Sequence, residues 1–180
     1  MRIRKEETLA ILVDMQERLF PHIHQHEQLA QNLIKLIRGL QALEITILMT
    51  EQYSKGLGPT ITEVKSYLNN YQPIEKMTFS CCGAPGLMTA LHGKSKKNII
   101  LMGIETHACV LQTAVDLLEG GFAPVVVEDC VSSRRLNDKQ VAIARMRQEG
   151  AVITTYESIL LELCVEAGTD TFKAISKIIK

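Results

Sequence analysis

The chain contains no tryptophan and only four phenylalanines and four tyrosines. So thin an aromatic supply favours a small ligand over a large flat one, and it offers no ladder of rings on which single-stranded nucleic acid would stack. Neither sign of charge is in excess, because 20 Lys and Arg residues balance 20 Asp and Glu residues. The global basic footprint of a non-specific nucleic-acid binder is therefore missing. No apolar run approaches the roughly 18–20 residues of a membrane span. The early apolar stretch, residues 9–13, is short and ends at Asp14, unlike a secretory leader. The five cysteines, at 81, 82, 109, 130 and 164, are odd in number and lack paired zinc spacing. They read as free thiols in a reducing compartment, which points to a cytoplasmic protein. Linker composition and internal repeats are also lacking, so residues 1–180 read as a single domain with a core of its own.

What is present is an alternation of short apolar runs and amphipathic segments. Strands are expected at 8–13, 45–49, 72–75, 98–102, 123–128 and 151–154. Helices are expected at 27–43, 60–68, 85–92, 107–119, 138–149, 157–163 and 170–179. In the first long helix Leu29, Leu33, Leu36, Ile37 and Leu40 share one face. Continuous apolar strands separated by such helices argue for a parallel sheet covered on both faces, a three-layer α/β domain. In such sheets ligands bind beyond the carboxyl ends of the strands, where strand order reverses.

Three chemically suggestive residues fall at strand ends. Asp14 ends the first strand, Lys76 follows the third, and Cys109 lies just beyond the fourth, in the first turn of the next helix. Free N–H groups and the helix dipole there favour a thiolate, so Cys109 is a candidate nucleophile. Taken singly, each has a bland reading: a turn-capping aspartate, a solvated lysine, a cysteine packed under a helix. Together at one sheet edge they read as a site. Gln52 and Tyr53, on the loop after the second strand, are placed to close over a substrate. Phe79 is placed to offer an aromatic wall, and Glu105 and His107 flank Cys109.

Other patterns fail. Residues 86–95 end like a phosphate-binding loop in Gly93-Lys94-Ser95, but six residues separate the glycines where four are needed. His26-Glu27 begins like a zinc-protease helix, yet Ala30 stands where the second histidine belongs.

Four segments together, Leu12-Val-Asp14-Met-Gln16, Glu75-Lys76-Met-Thr-Phe-Ser80, Gly103-Ile-Glu-Thr-His-Ala-Cys109-Val and Asp129-Cys-Val-Ser-Ser-Arg134, resemble the isochorismatase-like cysteine hydrolases, which include nicotinamidases and N-carbamoylsarcosine amidase. The likeness runs from about residue 9 to 163. It implies a Rossmann-like fold whose six-stranded parallel sheet has the order 3-2-1-4-5-6, and a catalytic triad of Asp14, Lys76 and Cys109. It further implies a cis peptide before Glu105 and an oxyanion hole built from the backbone N–H groups of Glu105 and Cys109. Residues 50–58 contain no histidine, unlike the metal-dependent nicotinamidases. The resemblance therefore implies hydrolysis of a small amide-like C–N bond with no metal and no cofactor, by a homo-oligomer whose partner is a small-molecule substrate rather than nucleic acid or membrane. Two alternatives stay open: an interaction protein that kept the fold without the activity, and a ribonuclease, a label some relatives carry.

Overall fold

The computed structural model describes residues 2–93 and 96–180. Lys94 and Ser95, which end the rejected phosphate-loop pattern, lie outside the described residues. Six parallel strands form one sheet in the order β3-β2-β1-β4-β5-β6. They are β1 (Thr8–Val13), β2 (Ile47–Gln52), β3 (Ile74–Lys76), β4 (Asn98–Ile104), β5 (Ala123–Ser132) and β6 (Val152–Thr154). The helices are α1 (His26–Ala42), α2 (Ser54–Leu57), α3 (Thr62–Lys65), α4 (Leu87–His92), α5 (Leu111–Glu119), α6 (Leu136–Glu149), α7 (Tyr156–Cys164) and α8 (Asp170–Ile179). A π-helical turn, Thr106–Val110, leads into α5.

Both faces of the sheet are covered, which explains why β1 and β4 are apolar without interruption. Side chains alternate along a strand. Ala10, Leu12, Ile100 and Met102 point to a core completed by Leu33, Leu36, Ile37 and Leu40 of α1 and by Ile159 and Leu160 of α7. Leu9, Ile11, Ile99 and Leu101 point the other way, to Leu87 and Leu91 of α4, Ala114 and Leu117 of α5 and Ile143 and Met146 of α6. Each large aliphatic side chain buried in these layers contributes about 1.5–3 kcal/mol. Among the described residues no helix is long and apolar enough to cross a membrane.

Strand order reverses between β1 and β4, and one glycine lets the two strands approach. Gly103 has φ +117°, and a Cβ there would lie 2.2 Å from the Val13 carbonyl oxygen. Gly103→Ala is expected to destabilise the protein by about 2–5 kcal/mol, because it combines a forbidden backbone region with a clash against backbone that cannot swing aside. Urea denaturation checks this, and an unchanged midpoint would mean that β1 and β4 part at little cost.

Several boundaries differ from the sequence reading. β2 starts at Ile47 rather than 45 and runs on through Thr50, Glu51 and Gln52. These polar residues are satisfied inside the fold: Thr50 donates to Asp14, and Glu51 accepts from the Thr60 amide and hydroxyl at 2.7 and 2.8 Å and from the Tyr71 hydroxyl. β5 likewise continues past 128 to Ser132, because the Asp129 carboxylate accepts from the Tyr156 amide at 2.9 Å. β3 contains Lys76 instead of preceding it, and the helix expected at 60–68 is confined to Thr62–Lys65.

Candidate active site

Asp14 follows the last residue of β1 with φ 45°, a left-handed conformation that turns its side chain out of the strand pattern. Its carboxylate is fully buried. Oδ1 accepts from the Thr50 hydroxyl at 2.7 Å, and Oδ2 pairs with Lys76 Nζ at 2.6 Å. Lys76, the last residue of β3, has a side chain with no solvent exposure. Its ammonium also donates to the carbonyls of Thr78 and Phe79 at 3.1 and 3.0 Å and to Gln52 Oε1 at 3.1 Å, and lies 3.7 Å from Cys109 Sγ. A buried charge needs such a set of partners to be tolerated. Asp14, Lys76 and Cys109 thus come together from three different elements, at the switch point.

The turn carrying Cys109 is held from below by Thr113, whose hydroxyl donates to the Cys109 carbonyl at 2.6 Å and accepts from the Cys81 amide at 2.8 Å. The Ile104–Glu105 peptide is cis. Glu105 is buried, and its carboxylate accepts from Arg134 Nε at 2.9 Å. The Cys109 sulfur is 6% exposed as a residue and donates to Gln52 Oε1 at 3.3 Å.

Thiol ionisation departs from the expectation set by the helix start. Burial pushes Cys109 up to about 12; the Asp14 carboxylate adds to the rise, and Lys76 opposes it without prevailing. The neighbouring Cys81 thiol is pushed up to about 11, again by burial first and Asp14 second. Burial works against the Lys76 ammonium, but Asp14, with the Cys109 and Cys81 sulfurs behind it, reverses that and moves its pKa upward. The resting site therefore holds an ion pair beside a neutral thiol, because an exposed helix start favours a thiolate only where water helps to solvate it.

These shifts carry a stability consequence. An acid with a higher pKa in the folded state binds more protons there than when unfolded. Cys81, Cys109 and Cys130 are all buried and all pushed upward. Their stabilisation is complete below the unfolded thiol pKa of about 8.5 and is lost as pH climbs above it, by up to about 1.4 kcal/mol per pH unit for each thiol. The raised pKa of Lys76 acts in the same direction at still higher pH. Urea midpoints in reducing buffer should accordingly fall steeply above pH 9, with a shallower fall in Cys109→Ala. A flat profile to pH 10 would contradict the assignment of these thiols as dry.

The remaining sequence candidates are placed differently. Gln52 reaches the sulfur itself. Tyr53 and Phe79 are exposed, at 49% and 55%, and Phe79 reaches the site through its carbonyl. His107 Nδ1 lies 2.9 Å from the Ser133 hydroxyl, and the ring lines a hollow formed with Leu111 and α6. Two contributors carried no assigned role in the sequence reading. Thr50 orients Asp14, and buried Gln16 grips the backbone of Gln52. A signal for Gln16 existed in its spacing, two residues beyond Asp14, within a segment already singled out. Among the described residues, no group of three or more His, Cys, Asp or Glu is placed to hold a metal ion.

A parallel sheet in this order, with a buried aspartate, lysine and cysteine gathered at its switch point, defines a Rossmann-like α/β domain with a candidate active site. Residues 8–158 match the Isochorismatase domain, and the chain belongs to that family. It is 42% identical over 180 residues to isochorismatase domain-containing protein 2A of Mus musculus, covering 99% of this chain and 85% of that protein. Among solved structures, the MAR1 ribonuclease from Caenorhabditis elegans superposes with a TM-score of 0.92 at 38% identity, over 99% of this chain and 92% of that one. The YcaC gene product of Escherichia coli, described as an octameric hydrolase of unknown specificity, shares the fold with a TM-score of 0.93 at 22% identity, over 99% of this chain and 89% of that one.

Proposed function

We propose that the protein is a metal-independent cysteine hydrolase that cleaves a small amide-like C–N bond through a thioester on Cys109. The observation that carries this reading is the contact of one buried ion pair, Asp14 with Lys76, with the Cys109 thiol at the strand-order reversal. As the sulfur attacks a carbonyl carbon, Asp14 takes its proton, and the C=O electron pair moves onto oxygen. Backbone N–H groups of Glu105 and Cys109 receive that oxyanion, each donor being worth about 10²–10³ in rate. Asp14 then delivers the proton to the departing nitrogen as the C–N bond breaks. Water, deprotonated by Asp14, attacks the thioester carbon; the C–S bond breaks and the sulfur recovers its proton. Lys76 keeps the Asp14 carboxylate in place and counters the negative charge that passes through the site. A neutral thiol with an adjacent base suits this sequence, because proton transfer accompanies attack rather than preceding it.

Gln52, Tyr53, Phe79 and His107 are assigned to the substrate side of the site. The substrate is a small molecule, which fits a nearly closed sulfur and a chain poor in aromatic residues. Homo-oligomer formation is proposed by analogy with the octameric Escherichia coli protein, and a cytoplasmic location from the five free thiols.

The test is release of ammonia or amine from a panel of small primary amides and ureido compounds, with acid-quenched mass spectrometry for an acyl group on Cys109. Cys109→Ala should lower turnover by at least about 10⁴-fold and remove the adduct. A second reading, ribonuclease activity, is prompted by the name of the Caenorhabditis elegans protein. RNA cleavage that follows the same preparation, falls with salt and is lost in Cys109→Ala, with every amide inert, would replace the first reading.

A further inference from the structure

Gln52 and Gln16 form a device that the hydrolytic sequence above does not use. The Gln52 side-chain oxygen accepts from Cys109 Sγ at 3.3 Å and from Lys76 Nζ at 3.1 Å. Both neighbours are donors, so the amide must present its oxygen to them and its nitrogen elsewhere. That oxygen does two things at once. It stabilises the protonated thiol by accepting its S–H, and it competes with the sulfur, 3.7 Å from the ammonium, for the donors of Lys76. Both effects keep Cys109 neutral.

The amide is not left to find this position by itself. Gln16, fully buried three residues beyond β1, accepts from the Gln52 amide N–H at 2.8 Å and donates to the Gln52 carbonyl at 3.0 Å, closing on both main-chain groups of one residue. Its nitrogen also donates to the Gly58 carbonyl at 2.7 Å, at the far end of α2. One side chain thus fixes the backbone from which the Gln52 amide projects.

We infer that Gln52 is a latch on the nucleophile, holding the Cys109 thiol protonated until a substrate carbonyl displaces its oxygen, and that Gln16 is the positioning residue that sets this latch. Displacement turns the S–H toward Asp14, and attack begins only with an electrophile in place. The substrate class follows from the exchange. It carries a carbonyl oxygen small enough to enter where the Gln52 amide now lies, as a primary amide or a ureido group does. The biological role rests on the cysteine-hydrolase reading, but its readout is thiol ionisation, which needs no hydrolysable substrate. Failure of one is therefore distinguishable from failure of the other.

The experiment is alkylation of Cys109 by iodoacetamide between pH 6 and 11, followed by peptide mass spectrometry. In Gln52→Ala, labelling at pH 8 should accelerate tenfold or more, with the inflection moving down by about one pH unit. Gln52→Glu, which puts a negative charge in the same place, should slow it. Gln16→Met should act in the same direction as Gln52→Ala, and the double variant should equal Gln52→Ala alone. A residue that merely stabilised the fold would give additive effects. If Gln16→Met does not fold, the opposed signs of the two Gln52 variants decide the matter. Labelling unchanged or slowed in Gln52→Ala overturns the latch, and additivity in the double variant overturns the role of Gln16.

Discussion

Asp14→Asn is expected to make Cys109 a stronger acid and a poorer catalyst. After burial, the Asp14 carboxylate is the main influence holding the thiol up near 12, while Lys76 pulls it down. Removing the negative charge leaves the ammonium unopposed, so iodoacetamide should label Cys109 faster at pH 8 than it does in the native protein. The same change removes the proposed acceptor for the thiol proton and the donor to the leaving nitrogen. General acid–base assistance of this kind is worth about 10²–10⁴-fold, and turnover of any amide identified by the panel should fall by that amount. The two measurements move in opposite directions only if Asp14 acts as a base. Were labelling and turnover to fall together, Asp14 would be supporting the architecture and not the proton transfer.

Lys76→Met should cost the most stability of any single substitution at the site, about 3–5 kcal/mol. It strands a carboxylate with no solvent exposure, whose remaining side-chain donor is the Thr50 hydroxyl at 2.7 Å. The loss does not measure the strength of the 2.6 Å ion pair, since most of it is the cost of the abandoned charge. Asp14→Asn/Lys76→Met should therefore recover a large part of the stability while remaining inactive. Urea denaturation of the four proteins completes the cycle. Equal destabilisation in the single and double variants would mean that water reaches Asp14 once the lysine is gone.

How much of this was legible in the sequence depended on whether local pattern and tertiary environment agreed. β1 and β4 are apolar on both faces because both faces are covered, and Leu29, Leu33, Leu36, Ile37 and Leu40 announce the buried face of α1. Sheet order came from the family resemblance, and the structure has that order. Polar residues with distant partners were misleading. Nothing local to Thr50, Glu51 and Gln52 reveals that Asp14, Tyr71 and Gln16 will satisfy them, so β2 looked three residues shorter at its carboxyl end. Asp129 interrupted β5 for the same reason, its partner being an amide 27 residues away. At the site, the types and positions of Asp14, Lys76 and Cys109 were readable because each follows or ends a strand. The ionisation of Cys109 was not. A helix start predicts an acidic thiol, whereas burial and a carboxylate from another strand decide the outcome.

The grip of Gln16 on Gln52 has a consequence for how this scaffold can be changed. Because both main-chain groups of Gln52 are satisfied by the Gln16 side chain, the chain beyond it is anchored at its root. A second anchor at Gly58 fixes the point where α2 ends. Residues 53–57 therefore arch between two fixed posts and are tied along the way, the Tyr53 amide donating to the Lys76 carbonyl at 3.0 Å and Ser54 to the Glu75 carboxylate, while Gly56 leaves room for the Tyr53 ring. The half-exposed Tyr53 ring can thus be changed without moving either post, whereas a side chain at position 56 would meet that ring. Variation aimed at the hollow that Tyr53 lines with Lys76 is therefore best placed at position 53, with the thiol and its ion pair left untouched.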